Sequence, residues 1–347
     1  MKVLFNCNNT VFQVPGGGEI LLLKTKEYLE KAGIKVKLFN PWEDKLNDFD
    51  LLHNFGKSNN CYDVVNFAHL QKVPIALTPI YNRPSLKYSL YESFGFKKKF
   101  KNLAYFGLKN SILFDFGIKT KSILKMSDII FVDSRDETDY LIRDFNINKE
   151  KIFTVPVGVE KKFKNAKPDE FIDKYKLQDF VLFVGRIDTR KNVLNLIKIM
   201  NKLGTPLVII GDKIIDQQQY YDTCVKTAGK NIHFLGKFDM DSSILMSAYA
   251  AAKVLVLPSY VESPGIVALE AALAGTNIVI TERGSTKEYF GDYGDYVNPL
   301  NIESIEKAIK EGLSKDKSRE LSKHIEKNFV WEVIIEKVIS GYKRLVL

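Results

Sequence analysis

Short apolar runs alternate along the chain with stretches in which apolar residues recur at helical spacing. Apolar runs of this length, separated by amphipathic segments, predict parallel strands that are covered by helices. They fall into two sets: Val3–Phe5, Lys35–Phe39, Leu51–His53, Ile75–Leu77 and Ile129–Val132, then Val181–Val184, Pro206–Ile210, Ile232–Leu235, Val254–Leu257 and Ile278–Thr281. Two such sets predict an α/β protein with two Rossmann-like domains.

A polar stretch separates the two sets of predicted strands. It has few apolar side chains that could be buried. It contains four lysines followed by a proline: Lys161, Lys162, Lys164, Lys167 and Pro168. We therefore place the domain boundary near Glu160–Asp169, with one domain at residues 1–160 and a second at 161–328. A length of 347 residues fits two domains.

The composition is that of a soluble globular enzyme, with 45% hydrophobic and 27% charged residues. The three cysteines, Cys7, Cys61 and Cys224, lie far apart and form neither a metal-binding nor a disulfide pattern. Met1–Asn6 is too short for the apolar region of a signal peptide, and no later run approaches the length of a membrane span. We expect a cytoplasmic protein.

The formal net charge of +9 is concentrated in residues 86–125. This segment contains nine lysines and two acidic residues, Glu92 and Asp115, with nine aromatic residues interspersed among them. Lysine with aromatic residues on helical pieces favours contact with an anionic membrane surface or an acceptor. The alternative is that the lysines lie on a solvent-exposed face and that the aromatic residues belong to the core. Nucleic acid is a third reading that we do not favour, because no nucleic-acid-binding motif accompanies the charge.

Gly185, Arg186 and Lys191 follow directly after the predicted strand Val181–Val184. Open α/β sheets bind ligands at the carboxyl ends of their strands, so both cations are expected at a ligand site. Two fixed positive charges suit a diphosphate. The alternative is a solvated pair of cations at the start of a helix.

Glu262 and Glu270 flank the start of a predicted helix that Gly265 opens after the strand Val254–Leu257. The N–H groups of Gly265, Ile266 and Val267 would face phosphates, as helix N-termini do. Glu270 has only acceptor atoms and could bind both ribose hydroxyls, while Glu262 would reach hydroxyls of a donor sugar. The alternative for Glu270 is a carboxylate that the helix dipole stabilises. Together these groups predict a nucleotide-sugar site.

The Gly-Arg…Lys element and the Glu-x7-Glu pair resemble those of the retaining GT-B glycosyltransferases of family 4. The resemblance extends to three further segments: Met126–Ser134, similar to the last strand of the family's N-terminal domain, Val155–Glu160, similar to its crossover, and Phe329–Tyr342, similar to its closing helix. It implies two Rossmann-like domains with parallel sheets facing across a cleft. It also implies that residues 329–347 pack on the first domain.

For chemistry, the resemblance implies a UDP- or GDP-sugar donor on the second domain and an acceptor, a glycan or a lipid-linked sugar, on the first. Arg186 and Lys191 would neutralise the leaving diphosphate in place of a metal, and no cofactor is expected. Pro264 stands where the family usually has an aromatic residue, which leaves the shape of the sugar pocket open.

A glycine-rich segment, Pro15–Glu19, follows the first predicted strand. It is not the dinucleotide fingerprint, because the G-x-G-x-x-G spacing is missing. The resemblance implies that the backbone at Gly17 and Gly18 approaches the donor phosphates. A flexible turn is the alternative.

The sequence names no general base. His53 ends a predicted strand and could face the cleft, but a lone histidine is more often structural than catalytic. The segment after Ile75–Leu77, where many family members have a histidine, contains none. In the mechanism usually assigned to the family, the leaving diphosphate itself takes the acceptor's proton. Asp-x-Asp, which holds a metal in other glycosyltransferase folds, occurs at Asp48/Asp50 and Asp239/Asp241. The second pair precedes the predicted helix Ser242–Ala252, where capping and first-turn acids are the simpler explanation, and no metal is expected.

The sequence thus predicts a retaining hexosyl- or N-acetylhexosaminyl-transferase of cell-surface polysaccharide or glycoconjugate synthesis. We expect it in the cytoplasm, peripheral on the inner face of the membrane. Two alternatives stay open: another GT-B sugar-nucleotide enzyme, such as an epimerase or a phosphorylase, and a non-catalytic nucleotide-sugar-binding subunit.

Overall fold

A computed structural model describes residues 1–13, 16–81, 116–317 and 319–346. These residues form two compact units. The first unit contains the described residues up to 158 together with 329–346, and the second contains those between 159 and 328. Each unit has its own parallel sheet. None of the helices described is long and apolar enough to cross a membrane.

The first unit is built on a six-stranded parallel sheet with the order β2-β1-β3-β4-β5-β6. Its strands are β1 Lys2–Asn6, β2 Lys35–Leu38, β3 Leu51–Phe55, β4 Ile75–Thr78, β5 Ile129–Val132 and β6 Ile152–Thr154. The central strands are buried on both faces, which explains why their sequences are almost continuously apolar.

Helices cover both faces of this sheet. They are α1 Gly17–Lys31, α2 Tyr62–Leu70, α3 Phe116–Met126, α4 Arg135–Phe145 and, from the end of the chain, α13 Trp331–Val346. One core joins β1, β3 and β5 to α1 and α13, and the other joins the same strands to α2, α3 and α4. Gly341 lets α13 approach the sheet closely, because a Cβ atom there would overlap the ring of Phe131.

His53 is part of the first core and is almost completely buried. Its Nδ1 atom lies 2.6 Å from the hydroxyl of Tyr342, and its Nε2 atom lies 2.8 Å from Oγ1 of Thr78. Burial lowers the pKa of His53 to about 3, so the ring is neutral. Of the two positions that the sequence left open for His53, facing the cleft or structural, the structure supports the structural one. The ring joins the sheet to the last helix.

Glu137, on α4, is a buried carboxyl group that joins two loops of the first unit. Its Oε1 atom accepts the N–H of Tyr81 at 2.5 Å, and its Oε2 atom accepts the N–H of Asp133 at 2.9 Å. Burial, with the nearby charge of Asp133, raises the pKa of Glu137 to about 8. The group thus holds together the segments that follow β4 and β5.

The second unit contains a six-stranded parallel sheet with the order β12-β11-β10-β7-β8-β9. Its strands are β7 Val181–Val184, β8 Leu207–Ile210, β9 Ile232–Gly236, β10 Val254–Leu257, β11 Asn277–Thr281 and β12 Asp295–Val297. Its helices are α5 Asp169–Tyr175, α6 Val193–Leu203, α7 Gln218–Thr227, α8 Ser243–Ala251, α9 Ile266–Leu273, α10 Thr286–Phe290, α11 Ile302–Ser314 and α12 Arg319–Phe329. The strand order reverses between β7 and β10, which is where ligands bind in open sheets.

The ten predicted strands are present, with ends that differ by up to two residues, and the structure adds β6 and β12. Met126–Ser134 does not hold the last strand of the first unit, because β6 follows it along the chain. Strands β6 and β12 have three residues each, most of them half-exposed. Their sequences therefore lack the apolar run that predicts a buried strand. Phe329 ends α12, and the closing helix begins at Trp331.

Candidate functional site

The candidate site in the second unit begins where β7 and β8 end side by side. Gly185 follows β7 with a φ of 144°, and Gly211 follows β8 with a φ of 153°. A Cβ atom on Gly211 would overlap the carbonyl oxygen of Gly185, so the backbones can approach only because no side chain is present. The chain can therefore turn sharply after β7 and lead into Arg186.

Asp188 orients both predicted cations from a buried position. Its Oδ1 atom accepts the N–H of Lys191 at 3.0 Å and caps the short 3₁₀ turn Thr189–Lys191. Its Oδ2 atom lies 3.4 Å from Nε of Arg186, whose side chain is 43% exposed. Asp188 thus fixes the two positive residues relative to each other, while the guanidinium remains accessible.

Lys191 and Glu262 form a buried ion pair. Nζ of Lys191 lies 2.6 Å from Oε1 of Glu262, with the side chains 12% and 6% exposed. The hydroxyl of Ser259 donates a second hydrogen bond to the same oxygen, at 2.5 Å. Burial alone would raise the pKa of Glu262, but the charges of Lys191 and Arg190 hold it below its usual value. Glu262 is therefore ionised.

The backbone of Glu262 is fixed against the loop that follows β11. The N–H of Glu262 donates to the carbonyl of Arg283, and the N–H of Ser285 donates to the carbonyl of Glu262, both at 3.1 Å. Gly284 lies between these two bonds with a φ of 91°, and a Cβ atom there would overlap the carbonyl of Glu262. The backbone that carries the carboxylate is thus hydrogen-bonded on both sides to the loop after β11.

The N-terminus of α9 lies next to Glu262. Gly265 precedes the helix with a φ of 89°, and a Cβ atom there would lie 3.5 Å from Oε2 of Glu262. The N–H groups of Ile266 and Val267 come before the first bond at this helix start, which the N–H of Ala268 donates to the carbonyl of Gly265 at 2.9 Å. They form the positive end of the helix dipole, which suits an anion.

Glu270 lies one turn further along α9 and accepts a hydrogen bond from the hydroxyl of Tyr249 at 2.6 Å. Burial raises the pKa of Glu270 to about 7, against the lowering effect of Tyr249 and of the positive charge of Lys162. Lys162 is itself 2.9 Å from Glu160 and forms a second ion pair with Asp241. Glu270 therefore titrates close to neutral pH.

In the first unit, the predicted glycine-rich segment forms the start of α1, which begins at Gly17. Pro15 lies outside the described residues. The N–H of Gly16 donates to Oε2 of Glu19 at 2.6 Å, so one of the donors at this helix start is already used. Gly18 and Glu19 line a cavity of about 410 Å³ at the carboxyl edge of the sheet.

The lining of this cavity is partly polar and partly apolar. Lys57, Ser58, Asn59 and Thr120 contribute polar groups, and Val11, Leu22, Phe55 and Ile80 contribute apolar surface. Apolar surface with a few polar groups is typical of small-molecule sites.

Within the described ranges, no group of three His, Cys, Asp or Glu side chains could hold a metal ion. The Asp-x-Asp pairs have other contacts. Asp50 accepts the N–H of Lys2 at 2.7 Å, and Asp239 accepts the N–H of Asp241 at 3.2 Å. The prediction that no metal is required remains a prediction.

The structure thus brings Arg186, Lys191, Glu262, Gly265 and Glu270 to the carboxyl edge of one sheet. Four contributing residues were missed by the sequence analysis: Asp188, Arg190, Tyr249 and Ser259. Asp188 alone had a usable signal, because an aspartate three residues before Lys191 is a typical helix cap. The other three act through contacts between residues distant in sequence or through charge.

Comparisons with known proteins show which proteins this chain is similar to. Residues 164–328 match the sequence model of the family described as Glycosyl transferases group 1. The chain is 28% identical over 242 residues to the O-antigen chain mannosyltransferase B of Escherichia coli, covering 65% of this chain and 61% of that protein. It is 27% identical over 239 residues to the D-inositol 3-phosphate glycosyltransferase of Mycolicibacterium smegmatis, covering 65% and 54%. The matches thus span less than two thirds of either relative.

Two solved structures resemble the whole chain. Sucrose-phosphate synthase from Thermosynechococcus elongatus gives a TM-score of 0.77 at 19% identity, covering 99% of this chain and 98% of that one. The Anabaena protein HepE in complex with UDP gives 0.74 at 15% identity, covering 99% and 100%. At these identities the likeness shows the fold alone. It is the α/β fold of two Rossmann-like domains known as GT-B.

Proposed function

We propose that the protein transfers a sugar from a nucleoside-diphosphate sugar to an acceptor, starting from the match of residues 164–328 to the family model described as Glycosyl transferases group 1. The observation that carries the proposal is the position of Lys191, Glu262, Glu270 and the N-terminus of α9 at one sheet edge. All of these residues lie within the range that matches the family.

The leaving diphosphate would bind between the cations and the start of α9. A lysine ammonium has three donors, so Lys191 can bind phosphate oxygens while one donor remains on Glu262. Arg186 is exposed enough to reach a second oxygen. Because these charges are fixed before the donor binds, they can stabilise charge on the leaving group without rearrangement, a contribution of about 2.7–4 kcal/mol per donor in other enzymes.

The nucleoside would be recognised by Glu270, whose carboxylate can accept hydrogen bonds from two ribose hydroxyls. Tyr249 already donates to its Oε2 atom and holds the group in place. Glu262 would contact the donor sugar, because its carboxylate lies beside Gly265. We propose a UDP- or GDP-sugar as donor. The complex of HepE with UDP supports the first of these.

Transfer would proceed with retention of the donor's configuration. A retaining mechanism in which the diphosphate accepts the acceptor's proton on the same face of the sugar needs no protein base. The burial and low pKa of His53 fit this proposal, because they remove that histidine from acid–base chemistry.

The acceptor would be a glycan or a lipid-linked sugar that binds in the cavity of the first unit. Hydroxyls of a sugar could form hydrogen bonds with the polar side chains of Ser58, Asn59 and Thr120. Synthesis of a cell-surface polysaccharide is the proposed setting, which is supported by the relative named as an O-antigen chain mannosyltransferase.

We further propose that the protein works at the inner, anionic face of a membrane, through the lysine-rich segment at residues 86–125. Residues 86–115 lie outside the described part of the chain, so the proposal rests on their sequence and on α3. Helix α3 carries positive charge at Lys119, Lys121 and Lys125, which would favour contact with anionic lipid.

The proposed activity is tested by offering the protein UDP- and GDP-sugars and following release of the nucleoside diphosphate. One donor should be hydrolysed slowly without acceptor and faster with a lipid-linked oligosaccharide, and NMR of the product should show the donor's anomeric configuration. Binding of a nucleotide sugar with no turnover on any acceptor would favour a non-catalytic subunit. An inverted product would contradict retention.

A further inference from the structure

Helices α2 and α3 share the outer surface of the first unit. Val65 and Ala68 of α2 and Ile123 and Leu124 of α3 are buried in the same core against the same side of the sheet. Nζ of Lys119 lies 5.5 Å from the ring of Tyr62, so the two helices are direct neighbours. Their opposite sides therefore form one continuous surface that faces away from the sheet.

Three large apolar side chains are exposed on this surface. Phe67 and Leu70, one helical turn apart on α2, are 56% and 66% exposed, and Ile118 on α3 is 63% exposed. Leaving such groups in water is unfavourable, and a cluster of them commonly marks an interaction site.

The charged residues of the two helices are mostly positive. Lys121 and Lys125 are exposed on the same side of α3 as Ile118, and Lys72 is exposed just after α2. No acidic residue occurs in α3. The one acidic residue of α2, Asp63, is exposed one turn before Phe67. The lysine-rich segment also runs directly into Phe116, the first residue of α3. We call Phe67, Leu70, Lys72, Ile118, Lys121 and Lys125 the docking face.

We infer that the docking face binds an anionic lipid bilayer, with its apolar side chains inserted at the headgroup boundary and its lysines on the lipid phosphates. This inference rests on the proposed membrane contact and names the surface that makes it. Exposed apolar side chains can insert at the headgroup boundary, and lysines near them are attracted to anionic lipid. An apolar protein partner would not require the lysines, and their charge is what selects lipid.

The test is sedimentation with vesicles of phosphatidylcholine alone or mixed with phosphatidylglycerol. The variant Phe67→Ser/Leu70→Ser removes apolar side chains that are already in solvent, so the fold should be kept. The matched control, Val225→Ser/Met240→Ser, removes two side chains of the second unit that are 45% and 47% exposed. A second pair, Lys121→Gln/Lys125→Gln against Lys226→Gln/Lys230→Gln, tests the charge with exposed lysines of both units.

The parent protein should bind the anionic vesicles and bind neutral ones weakly. The docking-face variants should lower the partition coefficient by about tenfold or more, and the control variants should not. Unchanged binding by both docking-face variants would overturn the inference, and so would a parent that never sediments.

UDP binding is measured on every variant as a readout of the second unit. If the parent binds UDP but no vesicles, the docking face is wrong while the nucleotide site stands. If it binds vesicles but no nucleotide, the proposed activity is wrong while the docking face stands.

Discussion

Nζ of Lys191 lies 2.6 Å from Oε1 of Glu262, and the two side chains are almost fully buried. The residues are 71 positions apart, one after β7 and one after β10, so the pair joins two strand ends across the reversal of strand order. Glu262 therefore has a structural task besides any contact with a sugar: it neutralises and orients the lysine.

This pairing changes what truncation of the lysine should do. In Lys191→Met, turnover of the donor should fall by about 10²-fold or more, because a charge that stabilises the leaving diphosphate is lost. The protein should also lose about 3–5 kcal/mol of its free energy of unfolding, because Glu262 stays buried without its cation. Donor hydrolysis and urea denaturation measure the two effects.

The double variant Lys191→Met/Glu262→Gln separates the loss of turnover from the loss of stability. It should recover most of the lost stability, because the uncompensated charge is gone, but none of the activity. Equal loss of stability in the single and double variants would contradict the buried pair, and near-normal turnover in either would contradict the phosphate assignment.

Glu270 predicts a pH-dependent affinity for UDP. Its pKa, raised to about 7 by burial, leaves it mostly protonated near pH 6 and mostly ionised near pH 8. Ribose hydroxyls donate to the ionised form, so affinity should rise with pH by up to about tenfold over this range.

Calorimetry with UDP measures this rise. In Glu270→Gln the affinity should fall by about 1.5–3 kcal/mol above neutral pH, the range for hydrogen bonds to a charged group. The same variant controls for titration of the UDP phosphates, and its own pH profile should be flatter. Parallel pH profiles in the parent and the variant would show that Glu270 does not bind the ribose.

Glu137 predicts a pH-dependent stability. Its pKa is about 8 in the folded protein, against 4.5 in an ordinary environment, so the folded state binds more protons between these values. Stability should therefore fall as pH rises from about 4.5 to 8, by at most about 1.4 kcal/mol per pH unit from this group.

Urea denaturation at several pH values, with Glu137→Gln for comparison, measures that slope. The variant loses one acceptor for the backbone N–H groups of Tyr81 and Asp133, so the change in slope is the informative quantity, not the absolute stability. A variant with the parent's slope would show that Glu137 is ionised in the folded protein.

The lysine-rich segment predicts salt-sensitive binding to anionic membranes. Replacing Lys97, Lys98, Lys99 and Lys101 by glutamine should remove on the order of 4 kcal/mol of attraction at low salt and release the protein from anionic vesicles. Donor hydrolysis should be nearly unchanged, because the proposed donor site lies in the second unit. A variant that still sediments at moderate salt would indicate that these four lysines do not bind lipid.

The fold could be predicted from sequence because buried parallel strands are almost continuously apolar, and ten of them gave that signal. Strands β6 and β12 gave none, since each has three residues that are largely half-exposed. The same limit explains the error at Met126–Ser134, which was taken as the last strand of the first domain.

The site was predictable in its residue types but not in its pairings. The positions of Arg186, Lys191, Glu262 and Glu270 followed from strand ends and a helix start. That Lys191 binds Glu262, and that Tyr249 binds Glu270, depends on strand order, which sequence spacing does not contain. The contact that holds His53 also depends on the fold, because its partner Tyr342 is 289 positions away in sequence.

The position of α13 also bears on the order in which the protein can be completed during synthesis. Five of its side chains lie in the first core, at positions 331, 334, 335, 338 and 342. A ribosome makes them after the whole of the second unit. Until they emerge, this core lacks the side chains of α13 that pack on Phe131, and of its two helices only α1 can cover that face of the sheet. The second unit already has all its strands by then. The core of the first unit is thus completed only after the strands of the second unit have been made.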